Sequence, residues 1–303
     1  MSILTQILVS GIGFALPLLV AAVGELVSER AGVLNLSLEG MMLTGAFTSV
    51  AGAVATGSPW LGAACGVLGG LLTGLAQAIL SVRCRADQIV VGIALNALAL
   101  AATTFGARLW LDSTDTVPAF DDLNLPGLSA IPVIGPALFD LTPLGYLCLL
   151  LAGGVALTLS PRTGPGLRID AVGEDAVAAD RTGLPVLRLR TLCILLTSAL
   201  AGLAGAQLAL SEVRAFSDNM TAGIGYLAVV AVIAGRWRPV GTALAAVVFG
   251  VVQALQYALP ALGVDVPPAL LTMLPYLVAI IAVSGLAGAS RAPSGLTVPF
   301  ARA

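Results

Sequence analysis

The stretch Glu29–Phe47, ERAGVLNLSLEGMMLTGAF, places Glu29, Arg30, Asn35, Ser37 and Glu39 between two long apolar runs. Those flanks decide the fold. The 303-residue chain is 58% hydrophobic and 10% charged, with a mean hydropathy of +1.02, whereas a soluble domain carries about 25% charged residues. A chain of this composition is an integral membrane protein. Inside such a fold Glu39 needs a reason, because a carboxylate within a spanning helix costs about 2.5–3.5 kcal/mol on insertion scales and turns toward a cavity or a partner.

Working outward, apolar runs of about 20 residues mark crossing helices. They fall near 6–27, 33–56, 60–82, 88–110, 142–160, 190–211, 221–235, 240–258 and 269–287. The expected architecture is therefore an all-α polytopic membrane protein with about nine crossings (eight to ten). The seventh is short enough for a half-helix or a re-entrant segment. Residues 1–27 lack a basic leader, Arg30 being the first basic residue, so they read as a retained helix and not a cleaved signal. One transmembrane domain over 1–303 is expected, with a cytoplasmic loop at about 161–190 and an outer loop at about 111–141. The outer loop carries Asp112, Asp115, Asp121, Asp122 and several prolines, which oppose regular helix. It is either a docking surface or a connector. With 161–190 inside, twelve arginines fall on the cytoplasmic side and only Arg108 and Arg214 outside, as the positive-inside rule asks. The N-terminus then lies outside and the C-terminus in the cytoplasm.

Absences exclude chemistry. The chain has no lysine and no histidine, so it lacks both the P-loop lysine that reaches nucleotide phosphates and the commonest metal ligand and neutral-pH base. Cys65, Cys84, Cys148 and Cys193 are widely spaced and indicate neither a disulfide framework nor a metal site. A net charge of −2 gives no footprint for nucleic acid.

Gly32, Asn35 and Glu39 stand at i, i+3 and i+7, one face of a helix starting near Val33. At 1.5 Å per residue Glu39 lies about 9 Å along that axis, at or inside the hydrocarbon edge. Two readings stay open. In the local one, Asn35 or Ser37 caps the helix and Glu39 favours its positive end. In the functional one, Asn35 and Glu39 line a path across the membrane or brace its cytoplasmic gate. Asn96, mid-span among small neighbours, is a second candidate for such a path, interhelical hydrogen bonding being the alternative. Gly62, Gly66, Gly70 and Gly74 make a stripe for close helix packing. In the inner loop, Asp170 reads as a cap, Val172, Ala176 and Ala179 as a weak apolar face, and Gly183 as a left-handed stop before Pro185. A short helix over roughly 171–182 is expected.

That loop, AVGEDAVAADRTGLPVLRLR (171–190), resembles the coupling loop of ABC importer permeases in the branch serving branched-chain amino acids, ribose and nucleosides. SERAGVLNLSLEGMMLTGAF (28–47) and MTAGIGYLAVVAVIAGRWRPVG (220–241) are similar to the early and late signatures of its nucleoside and simple-sugar members. Leu36-Ser37 departs from an expected Ile-Gly-like pair and is expected to stiffen the second helix. The resemblance implies a type II importer permease: a pore-forming subunit and not an enzyme, in the bacterial cell membrane. It implies coupling to an ATPase through Gly173, Glu174, Ala178, Ala179 and Gly183. Its implied partners are a second permease subunit (a heterodimer, as nucleoside systems suggest), a cytoplasmic ATP-binding subunit and an extracytoplasmic substrate-binding protein or lipoprotein. The chain itself would bind no cofactor, ATP–Mg residing on the ATPase. Nucleosides are the implied substrate and a sugar such as ribose the alternative. Trp110, Phe216 and Tyr226 are candidates to stack on a base, or else interface anchors. An ion-coupled secondary transporter is the competing class, which favours ionisable groups at the midplane. Glu39 is the main one seen here.

Overall fold

The computed structural model describes residues 3–112, 116–124, 134–261, 267–286 and 292–301. Helix α1 (Ile3–Arg30) is followed by α2 (Leu38–Thr56), α3 (Pro59–Ala78), α4 (Gln88–Trp110), α5 (Ile134–Phe139) and α6 (Pro143–Thr158). Then come the loop helices α7 (Gly164–Glu174) and α8 (Ala176–Arg181), and α9 (Val186–Gln207), α10 (Ile224–Ala234), α11 (Pro239–Ala261) and α12 (Pro268–Leu286). Single π-helical turns, Ile79–Arg83 and Leu208–Glu212, extend α3 and α9. Among the described residues the only sheet is a two-residue antiparallel pair, β1 (Leu123–Asn124) with β2 (Asp140–Leu141).

Among the described residues six helices are long and apolar enough to cross a membrane: Ile7–Arg30, Leu38–Thr56, Pro59–Arg83, Gln88–Trp110, Val186–Glu212 and Pro239–Pro260. The segments expected as crossings five, seven and nine form shorter apolar helices, Pro143–Thr158, Ile224–Ala234 and Leu270–Ser284. Helices α1, α2 and α9 form the centre of the bundle, and α1 packs along α11 as well. Exposed leucines and isoleucines on α4 and α12 face outward.

Between helices in lipid, close van der Waals fit replaces hydrophobic burial as the driving term, so small residues line the seams. A methyl group added at Gly62 would lie 2.6 Å from the Ser49 carbonyl of α2, and one at Gly66 would lie 2.9 Å from Ala206 of α9. At Gly70 and Gly74 it would overlap Ser198 of α9. The stripe thus seats α3 against both α2 and α9.

Two local expectations change. Helix α2 starts at Leu38 and not near Val33; residues 31–37 are two turns around an irregular stretch, so Gly32, Asn35 and Glu39 share no helix face, and Leu36-Ser37 stiffens nothing helical. Gly32, at φ +83°, turns the chain off the end of α1. The loop helix over 171–182 is two helices, because Asp175 is extended (φ −146°, ψ 96°) and caps α8 by accepting from Val177 N and Ala178 N, both at 2.9 Å. Thr163 caps α7, and Asp170 is an ion-pair partner instead of a cap. The segment expected as the outer loop, 111–141, holds α5, with Pro136 in its first turn, which a proline tolerates. Asp115, Arg291 and Arg302 lie outside the described residues.

Candidate functional site

The connector 31–37 turns back into the bundle. Asn35 N donates to Glu25 Oε1 at 2.9 Å, and Glu25 lies five residues before the end of α1, about 7.5 Å back along its axis. A non-helical backbone at that depth must have its polar groups met by protein. Side chains of neighbouring helices do so: Gln88 Oε1 accepts from Leu34 N (2.9 Å), and Asn96 donates to Leu36 O while accepting from Gly40 N (both 2.8 Å). Ser37 occupies the N-cap of α2 without a capping bond, its hydroxyl donating to Asn35 Oδ1 at 2.7 Å. The cap comes from Asn96, on another helix.

Glu39 sits at the centre of this arrangement, 7% exposed. Its Oε1 accepts from Thr221 Oγ1 (2.6 Å) and Gly223 N (2.8 Å), and its Oε2 from Gly225 N (2.7 Å). These donors form the N-terminus of α10, where unsatisfied amides and the helix dipole favour a negative charge. Helix α10 has 11 residues, about 16 Å, against a hydrocarbon thickness of about 30 Å. It is a half-length helix whose buried start is neutralised by Glu39. The chain entering it is strained, with positive φ at Asn219, Ala222 and Gly223. Tyr276 of α12 holds it by donating to Ala222 O at 2.6 Å, and Tyr226 OH accepts from Asn96 at 2.8 Å. Both tyrosine rings are partly exposed and border a cavity of about 460 Å³ between α10 and α12.

The far end of α10 returns to α1. Trp237 Nε1 donates to Glu29 Oε2, so the GRWRP turn closes on the stretch that begins ERAGV. Arg30 makes a bidentate pair with Asp170 and donates to Leu159 O at 2.7 Å, joining α1 to α7 and to the end of α6. Gly173 lies so close to the Arg30 carbonyl that a side chain there would overlap it. The three segments that carried the resemblance therefore meet on residues 29–39.

The structure separates the remaining expected site residues. Gly173 and Ala179 are buried within the fold, while Glu174, Ala178 and Gly183 are exposed, Gly183 at φ +88°. Trp110 stacks on Phe47 (6.1 Å between centroids) and Phe216 meets the same ring edge-on (5.5 Å), but Tyr226 stands apart with Asn96. Sequence reasoning passed over Glu25, fully buried one turn before Glu29, although its i, i+4 spacing was visible. It also passed over Gln88, Thr221 and Tyr276, whose partners lie far away in sequence. Among the described residues no group of three or more acidic, cysteine or histidine side chains is placed to hold a metal ion, and the four cysteines are unpaired.

A helical bundle with a half-length, carboxylate-capped helix inside it is the kind of interrupted-helix arrangement that membrane transporters use. The family model described as "Branched-chain amino acid transport system / permease component" matches residues 7–283, and the chain belongs to that family. It is a pore-forming subunit of an ABC transporter and not an enzyme. The guanosine ABC transporter permease protein NupQ of Bacillus subtilis is 36% identical, over 98% of this chain and 97% of its own. The nucleoside ABC transporter permease protein NupC of Lactococcus lactis is 35% identical over 92% of each. A Haloferax volcanii permease named for glucose, TsgC13, is 36% identical over 88% of this chain and 82% of its own. In fold, the chain matches a metal-chelate type ABC transporter in an inward-facing conformation with a TM-score of 0.55, at 17% identity over 93% of this chain and 86% of that one.

Proposed function

We propose that this permease imports nucleosides, and that the substrate passes along the face bearing Asn96, Tyr226, Tyr276 and the strained residues 217–223. The observation that carries the reading is Glu39 holding the buried start of α10. Irregular backbone at membrane depth persists only where protein or a water-filled path surrounds it, and Ser217, Asp218, Asn219 and Ala222 are exposed in the single chain. Glu39 and Asn35 act as braces of the gate, and Asn96 borders the path. Similarity to NupQ and NupC supports nucleosides, and TsgC13 favours a sugar as the second reading.

In this reading 161–190 is the cytoplasmic coupling loop, with the exposed Leu167, Val177, Ala178 and Gly183 meeting a separate ATP–Mg-binding subunit, and 111–141 faces an extracytoplasmic substrate-binding protein. A second, different permease subunit completes the pore. The chain lies in the bacterial plasma membrane, N-terminus outside, and binds no cofactor itself. Uptake of labelled guanosine, uridine and ribose by cells lacking this gene, with and without ATP depletion, tests it. Selective loss of ATP-dependent nucleoside uptake is expected. Loss of ribose uptake alone moves the substrate to sugars, and lost uptake that ignores ATP overturns the ATP-coupled reading.

A further inference from the structure

Residues 292–301 lie against the loop helices, and nothing above uses them. Arg190, near the start of α9, is 2% exposed, and its guanidinium meets no carboxylate among the described residues. It donates instead to three carbonyls: Nε to Ala31 O (3.1 Å), Nη1 to Val298 O (2.8 Å) and Nη2 to Gly295 O (3.5 Å). A buried guanidinium is costly unless its charge and donors are met. The first carbonyl belongs to the end of α1, where the helix dipole is negative, and the other two to 292–301. The same segment donates from Gly295 N to Gly173 O (2.8 Å), at the C-terminal end of α7, and from Ser294 Oγ to Glu174 Oε2 (2.9 Å). Phe300, 7% exposed, completes a small core with Val172, Ala179 and Val186. One short segment thus holds α7, α8, α9 and the end of α1 together.

We propose that residues 292–301 are a strap that keeps α7–α8 in register with the end of α1, making Arg190, Ser294 and Phe300 positioning residues for coupled transport. The proposal rests on the assignment of α7–α8 to ATPase coupling. Helix α7 meets α1 through the Arg30–Asp170 pair and the Gly173–Arg30 contact. A push on α8 moves the 31–37 connector, and with it Glu39, only if α7 does not rock about that junction. The strap adds a second attachment, through Arg190 to Ala31.

The test compares three variants in the complete reconstituted transporter: deletion of 292–303, Phe300→Ala and Ser294→Ala. Substrate moved and ATP hydrolysed are measured together. The strap predicts normal basal ATPase and a transport-to-ATP ratio reduced at least about five-fold in the deletion, the low end of coupling energies between sites, with smaller losses in the single variants. A merely structural role lowers both rates in proportion, and an unchanged ratio overturns the proposal. If the deletion does not assemble, the two single variants decide it by the same ratio. Ala178→Trp on the exposed face of α8 serves as reference. A fall in its ratio with none in the strap variants sinks the strap alone, while no fall in any variant sinks the coupling assignment beneath it.

Discussion

Glu39 accepts from one hydroxyl and two amides, and a carboxamide has only one oxygen for those three donors. Glu39→Gln therefore leaves at least one donor at the start of α10 unmet and removes the charge that balances the helix end. A hydrogen bond to a charged group contributes about 1.5–3 kcal/mol, so Glu39→Gln is expected to lower the unfolding temperature in detergent and to cut uptake about ten-fold or more, each 1.4 kcal/mol being one factor of ten. Normal uptake by a normally assembled variant would leave Glu39 a cap and nothing more. That Glu39 needed a partner was legible from one line of sequence. The partner was not, since Thr221 stands 182 residues away and no periodicity links them. Asn96 shows the same limit: the sequence offered it as a path residue or an interhelical hydrogen-bonding one, and its amide bonds Leu36, Gly40 and Tyr226, partners that no spacing in the chain names.

The elements divide by how local their causes are. Gly57 and Gly183, both left-handed, end α2 and α8 where the chain announces a stop, and most apolar runs fold as helices near their expected bounds. The failures came where a distant contact overrides a local pattern. GEDAVAAD reads as continuous helix, but α7, held against α1 by the Arg30–Asp170 pair and the close approach at Gly173, ends at Glu174, and the extended Asp175 starts α8 afresh. Val172 and Ala179 still share one small core across the break, with Ala176 beside it, as their spacing suggested. Two substitutions separate the roles. Asp175→Ala removes the cap of α8 at a cost of about 1 kcal/mol and is expected to weaken substrate-stimulated ATPase while the spans stay folded by circular dichroism. Gly173→Ala forces α7 away from α1 and is expected to abolish that stimulation. Full stimulation in the Gly173 variant would show that the α1–α7 contact transmits nothing.

At the scale of the molecule the contacts sort the chain into two ends. Arg30, Asp170, Arg190, Trp237 and the strap gather at one. At the other, Arg214 donates to Phe120 O and lies near Asp121, with Trp60 packed on Phe120. Charge counting expects most arginines on the cytoplasmic side, and among them Arg30 and Arg190 gather with Asp170 and Trp237 at one end of the bundle. Nine crossings, made of the six long and three shorter apolar helices among the described residues, would put the two termini on opposite sides. Labelling decides the direction. In a variant whose four cysteines are replaced, a single cysteine at Thr182 is expected to react with a membrane-impermeant maleimide only after the cells are opened, and one at Asp122 in intact cells. Both positions are exposed in the single chain, so once each cysteine has reacted in opened cells, failure to react in intact cells reports sidedness. The opposite pattern would turn the bundle over, place α7–α8 outside, and remove them from any cytoplasmic ATPase.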